Sequence, residues 1–189
     1  MRPVVLAGGE SSRMGREKAL IKFKDKTLIE YSLEAVAGMG APLVVSNNEA
    51  VLDFLGCIEV IPDFLPGRGP MGGIHAAMKH TGDDIFVVAC DTPLLDRKTL
   101  EYLADKRGKN LVAVYRHEGK VFPFPGYFSH KLLADVERRL EGAGRELAIQ
   151  DLISGADKVA FVDITRGVES LIGINTPAEY RRITGMDLE

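Results

Sequence analysis

The sequence predicts an α/β fold with a largely parallel sheet, and three observations predict it. Short apolar runs (Val4–Leu6, Pro42–Ser46, Cys57–Pro62, Ile85–Cys90) alternate with segments of helical character, the order expected of strands joined by crossover helices. A glycine pair, Gly8-Gly9, follows the first run directly. The most apolar run, Ile85–Cys90, ends in Asp91, and in open α/β sheets the carboxyl ends of central strands form the rim where ligands bind.

Taken in order, Val4–Leu6 is too short for a helix and reads as a buried first strand entering the glycine turn. Leu20–Lys24 reads as a short strand turning at Asp25-Lys26. Thr27 with Glu30 three residues on reads as a capping box, opening a helix with Leu28, Ile29, Leu33 and Val36 on one stripe and Gly38 at its close. Pro42–Ser46 is the second strand, Val51–Leu55 a helical turn, Cys57–Pro62 the third strand, and Ile74–Lys79 a helix after a Gly/Pro-rich loop. Asp96 caps the next helix, with Leu100 and Leu103 facing inward. Leu111–Tyr115 is a strand, His117–Lys120 a turn, and the Pro-punctuated Val121–Phe128 a strand expected to cross antiparallel. Helices from Ser129 to Leu140 and from Arg145 to Ile153, a strand at Val159–Ile164 and a short terminal helix complete a chain expected to be one domain over residues 1–189.

Composition narrows the function. A net charge of −3 and a pI of about 5.9 leave no overall basic field for a nucleic-acid backbone. Anion binding must be local, and six of the 24 Lys and Arg (Arg13, Arg16, Lys18, Lys22, Lys24, Lys26) do cluster behind the glycine turn. Met1-Arg2-Pro3 enters the first strand directly, and no apolar run approaches the roughly 18 residues of a membrane span, so a cytoplasmic protein is expected. Cys57 and Cys90 lie in apolar runs and are expected to be buried thiols. No CxxC or HxxxH spacing occurs, and His75 and His80, five apart, do not share a helix face.

A strand, a glycine turn, then arginine and lysine form a phosphate device. Glycines let backbone N–H groups approach an anion, and Arg13, Arg16 and Lys18 bring mobile cations. With Asp91 on the rim, this is the equipment of displacement at phosphorus, in which positioning and charge neutralisation carry the catalysis. Lys18 and Arg13 would hold the pyrophosphate. Asp91 would hold Mg²⁺, a hard cation suited to carboxylate and phosphate oxygens. No GxxxxGK[ST] loop is present, which disfavours a P-loop NTPase. Gly67, Gly69 and Gly72 formally satisfy GxGxxG, with Asp91 lying 19 residues further on. They follow the third strand, enclose a proline and compete with the earlier glycine turn, so a dinucleotide fingerprint is rejected.

These residues resemble a known family. Leu6-Ala7-Gly8-Gly9, Ser12-Arg13-Met14-Gly15 and Glu17-Lys18-Ala19-Leu20 are similar to the LAGGxSxRMGxxK signature of molybdenum cofactor guanylyltransferases. The resemblance runs nearly the whole length, continuing at Asp63, Gly69-Pro70-Met71-Gly72-Gly73, Cys90-Asp91-Thr92-Pro93 and Asn175-Thr176-Pro177. It implies a three-layer αβα, Rossmann-like sheet, mostly parallel with one antiparallel strand, of the nucleotide-diphospho-sugar transferase type. It implies a reaction in which the terminal phosphate of molybdopterin attacks the α-phosphate of Mg-GTP, giving pyrophosphate and the guanine dinucleotide cofactor.

Carried over residue by residue, the resemblance puts the GTP site at Leu6, Ala7, Gly8, Lys18, Asn48, Asp63 and Asp91, with backbone around Gly69 and Pro70 meeting the base. Asp91 would ligate Mg²⁺, Asn175 would lie near the metal or the phosphates, and Arg145 would touch the pterin. Handover to molybdoenzymes and their chaperones is also implied. One departure is Phe122-Pro123, where the family often has His or Gln before the proline on the acceptor side. Three alternatives stay open: a cytidylyltransferase on molybdopterin, a nucleotidyltransferase acting on another phosphorylated acceptor such as a sugar or polyol phosphate, and a nucleotide-binding partner without catalysis.

Overall fold

A computed structural model describes residues 1–8, 17–142 and 148–185. Among them, a seven-stranded sheet runs in the order β5-β4-β1-β6-β8-β7-β9. Its strands are β1 (Arg2–Leu6), β4 (Leu43–Val45), β5 (Glu59–Ile61), β6 (Ile85–Ala89), β7 (Val112–His117), β8 (Lys120–Phe128) and β9 (Val159–Asp163). β1 pairs in parallel with β4 and β6, β4 with β5, and β7 with β9, while β8 runs antiparallel to both of its neighbours. The carboxyl ends of the six other strands therefore share one rim. Two-residue strands β2 (Lys22–Phe23) and β3 (Lys26–Thr27) form a separate small hairpin.

The period-2 alternation of the strands divides the interior into two cores. Val4, Leu6, Leu43, Val45, Ile85, Val87, Val112 and Val114 face one side, packing against helices α3 (Pro70–Thr81), α5 (Leu133–Glu141) and α6 (Ile149–Gly155). Val5, Val44, Phe86, Val88, Ala113 and Tyr115 face the other, under α1 (Leu28–Val36), α2 (Glu49–Leu55) and α4 (Arg97–Lys106). A smaller core of Ile21, Phe23, Leu28, Ile174 and Tyr180 joins the β2–β3 hairpin to the last helix, α7 (Pro177–Thr184). No helix among the described residues is long and apolar enough to cross a membrane.

Most expected elements are present, with instructive shifts. The capping box opens α1, where the Thr27 N–H and hydroxyl both donate to Glu30 Oε2 at 2.7 Å and hold that carboxyl below its ordinary range. The Asp96 carboxylate accepts from the Thr99 N–H at 2.8 Å and caps α4. By contrast, α3 starts four residues before Ile74. Pro70 supplies a ready-made first helical residue, and Gly72 and Gly73, read from sequence as loop, lie buried in the first turn. Leu20 belongs to a single 3-10 turn, Lys18–Leu20, and the strand begins only at Lys22. The helix read from Arg145 starts at Ile149, with Ala148 extended as its N-cap, and residues 143–147 fall outside the described set. Cys90 is buried as expected, which pushes its thiol up to about 12, but Cys57 is exposed. Cys57 itself lies in the turn after α2, before a three-residue strand at the sheet edge.

The prolines of β8 also find a physical place. The β7–β8 register jumps from Val114↔Gly126 to Tyr115↔Phe122, so Pro123, Phe124 and Pro125 bulge out of the ladder, where a missing N–H costs nothing. A Cβ on Gly126 would stand 2.4 Å from the Pro123 carbonyl oxygen, so only glycine closes the bulge. Phe122, beyond it, is buried in the α4-side core.

Opposite the rim, Asp84 ties β6 to the end of β8. Its carboxylate accepts from the Tyr127 hydroxyl at 2.6 Å, the Ser129 hydroxyl at 2.9 Å and the His130 N–H at 2.7 Å. Burial pushes this carboxyl up, but the three donors outweigh burial and leave it below its ordinary value. Its stabilising contribution is then complete above the unfolded-state value near 3.9 and is lost as pH falls through the lower folded-state value. Asp84→Ala is expected to cost about 1–3 kcal/mol at pH 7 by stranding those donors. It should also flatten the loss of stability below pH ~4. Urea midpoints at pH 7 and 3.5 test both.

Candidate functional site

The rim gathers the residues that the sequence singles out. β1 ends at Leu6 and passes through Ala7 into Gly8. The Leu6 carbonyl accepts from the Cys90 N–H at 3.1 Å, the Ala7 N–H donates to the Val45 carbonyl at 3.0 Å, and the Ala7 carbonyl accepts from the buried Ser46 hydroxyl at 3.0 Å. Leu6 and Ala7 thus commit backbone groups to the scaffold, and Gly8 is the exposed member of the three. Residues 9–16, including Arg13, fall outside the described set, as does Arg145.

The chain re-enters view at Glu17, and the 3-10 turn Lys18–Leu20 sends the Lys18 side chain across the rim. Its ammonium donates to Asp91 Oδ2 at 2.7 Å and to Asn175 Oδ1 at 2.8 Å. The Lys18 and Asp91 side chains are each 19 % exposed, so this pair is more sheltered from water than a surface salt bridge. Asp91 follows β6 after one residue, Cys90. Its carbonyl accepts from the Ile174 N–H at 2.8 Å, which docks the C-terminal segment beside it. The Asn175 N–H donates to the Glu179 carboxylate at 2.8 Å, and Thr176 caps α7, fixing the backbone that presents Asn175. Gly173 makes room, since a Cβ there would lie 2.8 Å from Asp91 Oδ2.

A second group forms at the ends of β4 and β5. Asn47 and Asp63 are cross-linked, with the Asp63 N–H donating to Asn47 Oδ1 at 2.7 Å and Asn47 Nδ2 donating to the Asp63 carbonyl at 3.1 Å. The Asp63 carboxylate accepts from the Leu65 N–H and lies against the first turn of α3, where a Cβ on Gly72 would stand 2.6 Å from it. A carboxylate is favourable at this positive helix end. Gly69, exposed with φ +59°, precedes Pro70 at the start of α3 and provides a turn that other residues rarely adopt. Asn48 is occupied within the protein: its Oδ1 accepts from the Ala50 N–H, capping α2, and its Nδ2 donates to Glu17 Oε2 at 2.5 Å.

A divalent cation fits this donor set. Two hard oxygens, Asp91 Oδ2 and Asn175 Oδ1, already converge on one cationic nitrogen. Among the described residues no cluster of three or more His, Cys, Asp or Glu is placed to hold a metal alone. That combination suits Mg²⁺, which takes one or two protein ligands and completes its shell with phosphate oxygens and water.

Of the residues expected at the site, the structure brings Lys18, Asp91 and Asn175 into direct contact and sets Asp63, Asn48, Gly69 and Gly8 along the same rim. Sequence reading assigns no role to Glu17, Ser46, Asn47 or Gly173. The available signals are slight: an acidic residue next to Lys18, polar residues closing the second strand, and a glycine two positions before Asn175.

The layered, mostly parallel sheet with one antiparallel strand is an α/β fold shared with known nucleotidyltransferases. A model of the MobA-like NTP transferase domain matches residues 3–158, and the chain belongs to that family. It is 34 % identical to a probable molybdenum cofactor guanylyltransferase of Bacillus velezensis, over 95 % of this chain and 92 % of that protein. It is 32 % identical to one of Thermococcus sibiricus, over 96 % of each. Among solved structures, molybdopterin-guanine dinucleotide biosynthesis protein A of Archaeoglobus fulgidus superposes with a TM-score of 0.82 at 26 % identity, covering 98 % of this chain and 97 % of that one.

Gly173→Ala forces the Asp91 carboxylate to move, and Gly72→Ala does the same to Asp63. Both substitutions should leave the fold intact by circular dichroism. Each should weaken binding of a Mg²⁺-nucleoside triphosphate about 10-fold or more, measured by titration calorimetry, as expected when a ligand-positioning group is misplaced.

Proposed function

We propose that this chain transfers GMP from GTP to the terminal phosphate of molybdopterin, forming the guanine dinucleotide form of the molybdenum cofactor and pyrophosphate. The observation that carries the reading is the convergence of Lys18, Asp91 and Asn175 on one point of the rim. The similarity to relatives named as probable molybdenum cofactor guanylyltransferases supports the choice of nucleotide and acceptor. Residues 1–189 are read as one nucleotidyltransferase domain, since the C-terminal segment carries Asn175 to a lysine near the other end of the chain. The reading includes a cytoplasmic setting and delivery of the product to molybdoenzymes or their chaperones.

In this reading the acceptor's phosphate oxygen forms a bond to the α-phosphorus, the bond to the bridging oxygen breaks, and pyrophosphate leaves. Lys18 supplies positive charge to the departing pyrophosphate, with Arg13 as a second cation. Gly8 lets the triphosphate approach the end of β1 closely, and Asp63 and Gly69 line the nucleoside side. Asp91 and Asn175 would hold Mg²⁺, which when bound would neutralise phosphate charge and favour the in-line geometry. The buried ring of Phe122 offers the acceptor no polar group, so recognition on that side must come from other residues of the 115–155 region.

The deciding assay is pyrophosphate release with each of the four nucleoside triphosphates plus Mg²⁺, with and without molybdenum-bearing molybdopterin. Release with GTP alone, and only when the pterin is present, is expected. Release with CTP would make the protein a cytidylyltransferase, and silence with every nucleotide would overturn the reading. In the same assay Lys18→Ala should slow turnover about 10²–10³-fold, the usual effect of removing one group that stabilises developing charge. Asp91→Asn should raise the Mg²⁺ concentration needed for half-maximal rate by a similar order.

A further inference from the structure

We propose that Glu17 is a positioning residue for this chemistry. Its carboxylate fixes the turn that aims Lys18 and locks that turn to the loop after β4. The proposal deepens the nucleotidyl-transfer reading of the same rim and rests on it.

The turn Lys18–Leu20 is three residues long and is closed by two backbone bonds, Leu20 N–H to the Glu17 carbonyl at 3.1 Å and Ile21 N–H to the Lys18 carbonyl at 3.2 Å. So short a turn does not hold its shape unaided. Glu17 braces it from both carboxylate oxygens. Oε1 accepts from the Ala19 N–H at 3.3 Å, within the turn. Oε2 accepts from Asn48 Nδ2 at 2.5 Å, across the rim.

The far end of that second bond is rigid. Asn48 Oδ1 faces the Ala50 N–H at the start of α2, so its amide can present only NH₂ to Glu17. The Asn48 N–H donates to the Ser46 hydroxyl, which in turn donates to the Ala7 carbonyl. One side chain thus joins the loops after β1 and β4 to the lysine that reaches Asp91 after β6. The position demands two acceptors facing two donors. A carboxylate meets that demand with charge-assisted bonds, whereas glutamine must turn an NH₂ toward either Ala19 N–H or Asn48 NH₂. Aspartate keeps both acceptors on a stem one carbon shorter, and so is the conservative variant.

The test is a double-mutant cycle on the full chain, combining Glu17→Gln or Glu17→Asp with Lys18→Met. It has two readouts: pyrophosphate release, and the rate at which Lys18 is acetylated by acetic anhydride, followed by mass spectrometry. Glu17→Gln should lower kcat about 10-fold and speed acetylation of Lys18 by a similar factor, the scale of one lost charge-assisted bond. In the Lys18→Met background Glu17→Gln should cost less than about 2-fold, because the two residues act as a unit. Glu17→Asp should recover most of the rate. Equal losses in both backgrounds, or an unchanged acetylation rate of Lys18, would overturn the proposal. If the unaltered chain releases no pyrophosphate with any nucleotide, the functional reading fails, and the acetylation rates decide the positioning role on their own.

Discussion

One ammonium group bridging a carboxylate and a carboxamide holds the working edge of this protein together. Lys18 and Asn175 are 157 residues apart, and Asp91 lies between them in sequence, yet all three meet within hydrogen-bond distance. Much of the architecture serves that meeting. The parallel pairing of β1 and β6 sets Leu6 level with Ala89, which brings Gly8 and Asp91, each two residues beyond, to one end of the sheet. The Ile174–Asp91 backbone bond brings up the last segment, and the small core around Phe23, Leu28 and Tyr180 keeps that segment against the hairpin that follows Lys18.

The sheet explains why a rim of this kind is available. Six strands point their carboxyl ends the same way, and the one that does not, β8, follows β7 through a tight hairpin and fills the place between β6 and β7. Both faces are covered by helices, so polar side chains collect at the open end, where backbone groups that have left the ladder also need partners. Ser46, Asn47, Asn48 and Asp63 use this arrangement to cross-link adjacent loops. The site is therefore stiffened by the same side chains that form its wall.

The fold was legible because its signals are local. Val4–Leu6 and Ile85–Cys90 announce buried strands by composition, Thr27 with Glu30 and Asp96 announce helix starts by capping chemistry, and the prolines of 121–128 mark a strand that cannot donate throughout. Errors came where tertiary context overrode local pattern. Gly72 and Gly73 read as loop, but they lie in the first turn of α3, which packs so closely on Asp63 and Leu6 that side chains would not fit there. Cys57 sits in an apolar run whose strand lies at an edge. At the site, Lys18 and Asp91 could be picked by chemical type and position, and Asn175 by resemblance. The contacts of Glu17 and Gly173 could not, since they arise from an approach between segments that spacing does not encode.

The order of the chain along the sheet carries a consequence for synthesis. β1 precedes the other strands of the sheet in the chain but belongs in the middle, between β4 and β6, so Gly8 is flanked on both sides only after two later strands have paired. Asn175 follows every strand of the sheet, and Lys18 gains this partner only when the final segment has docked on Asp91. The strands of the sheet can thus pair before the Lys18–Asp91–Asn175 contact is made, and that contact depends on the segment after β9.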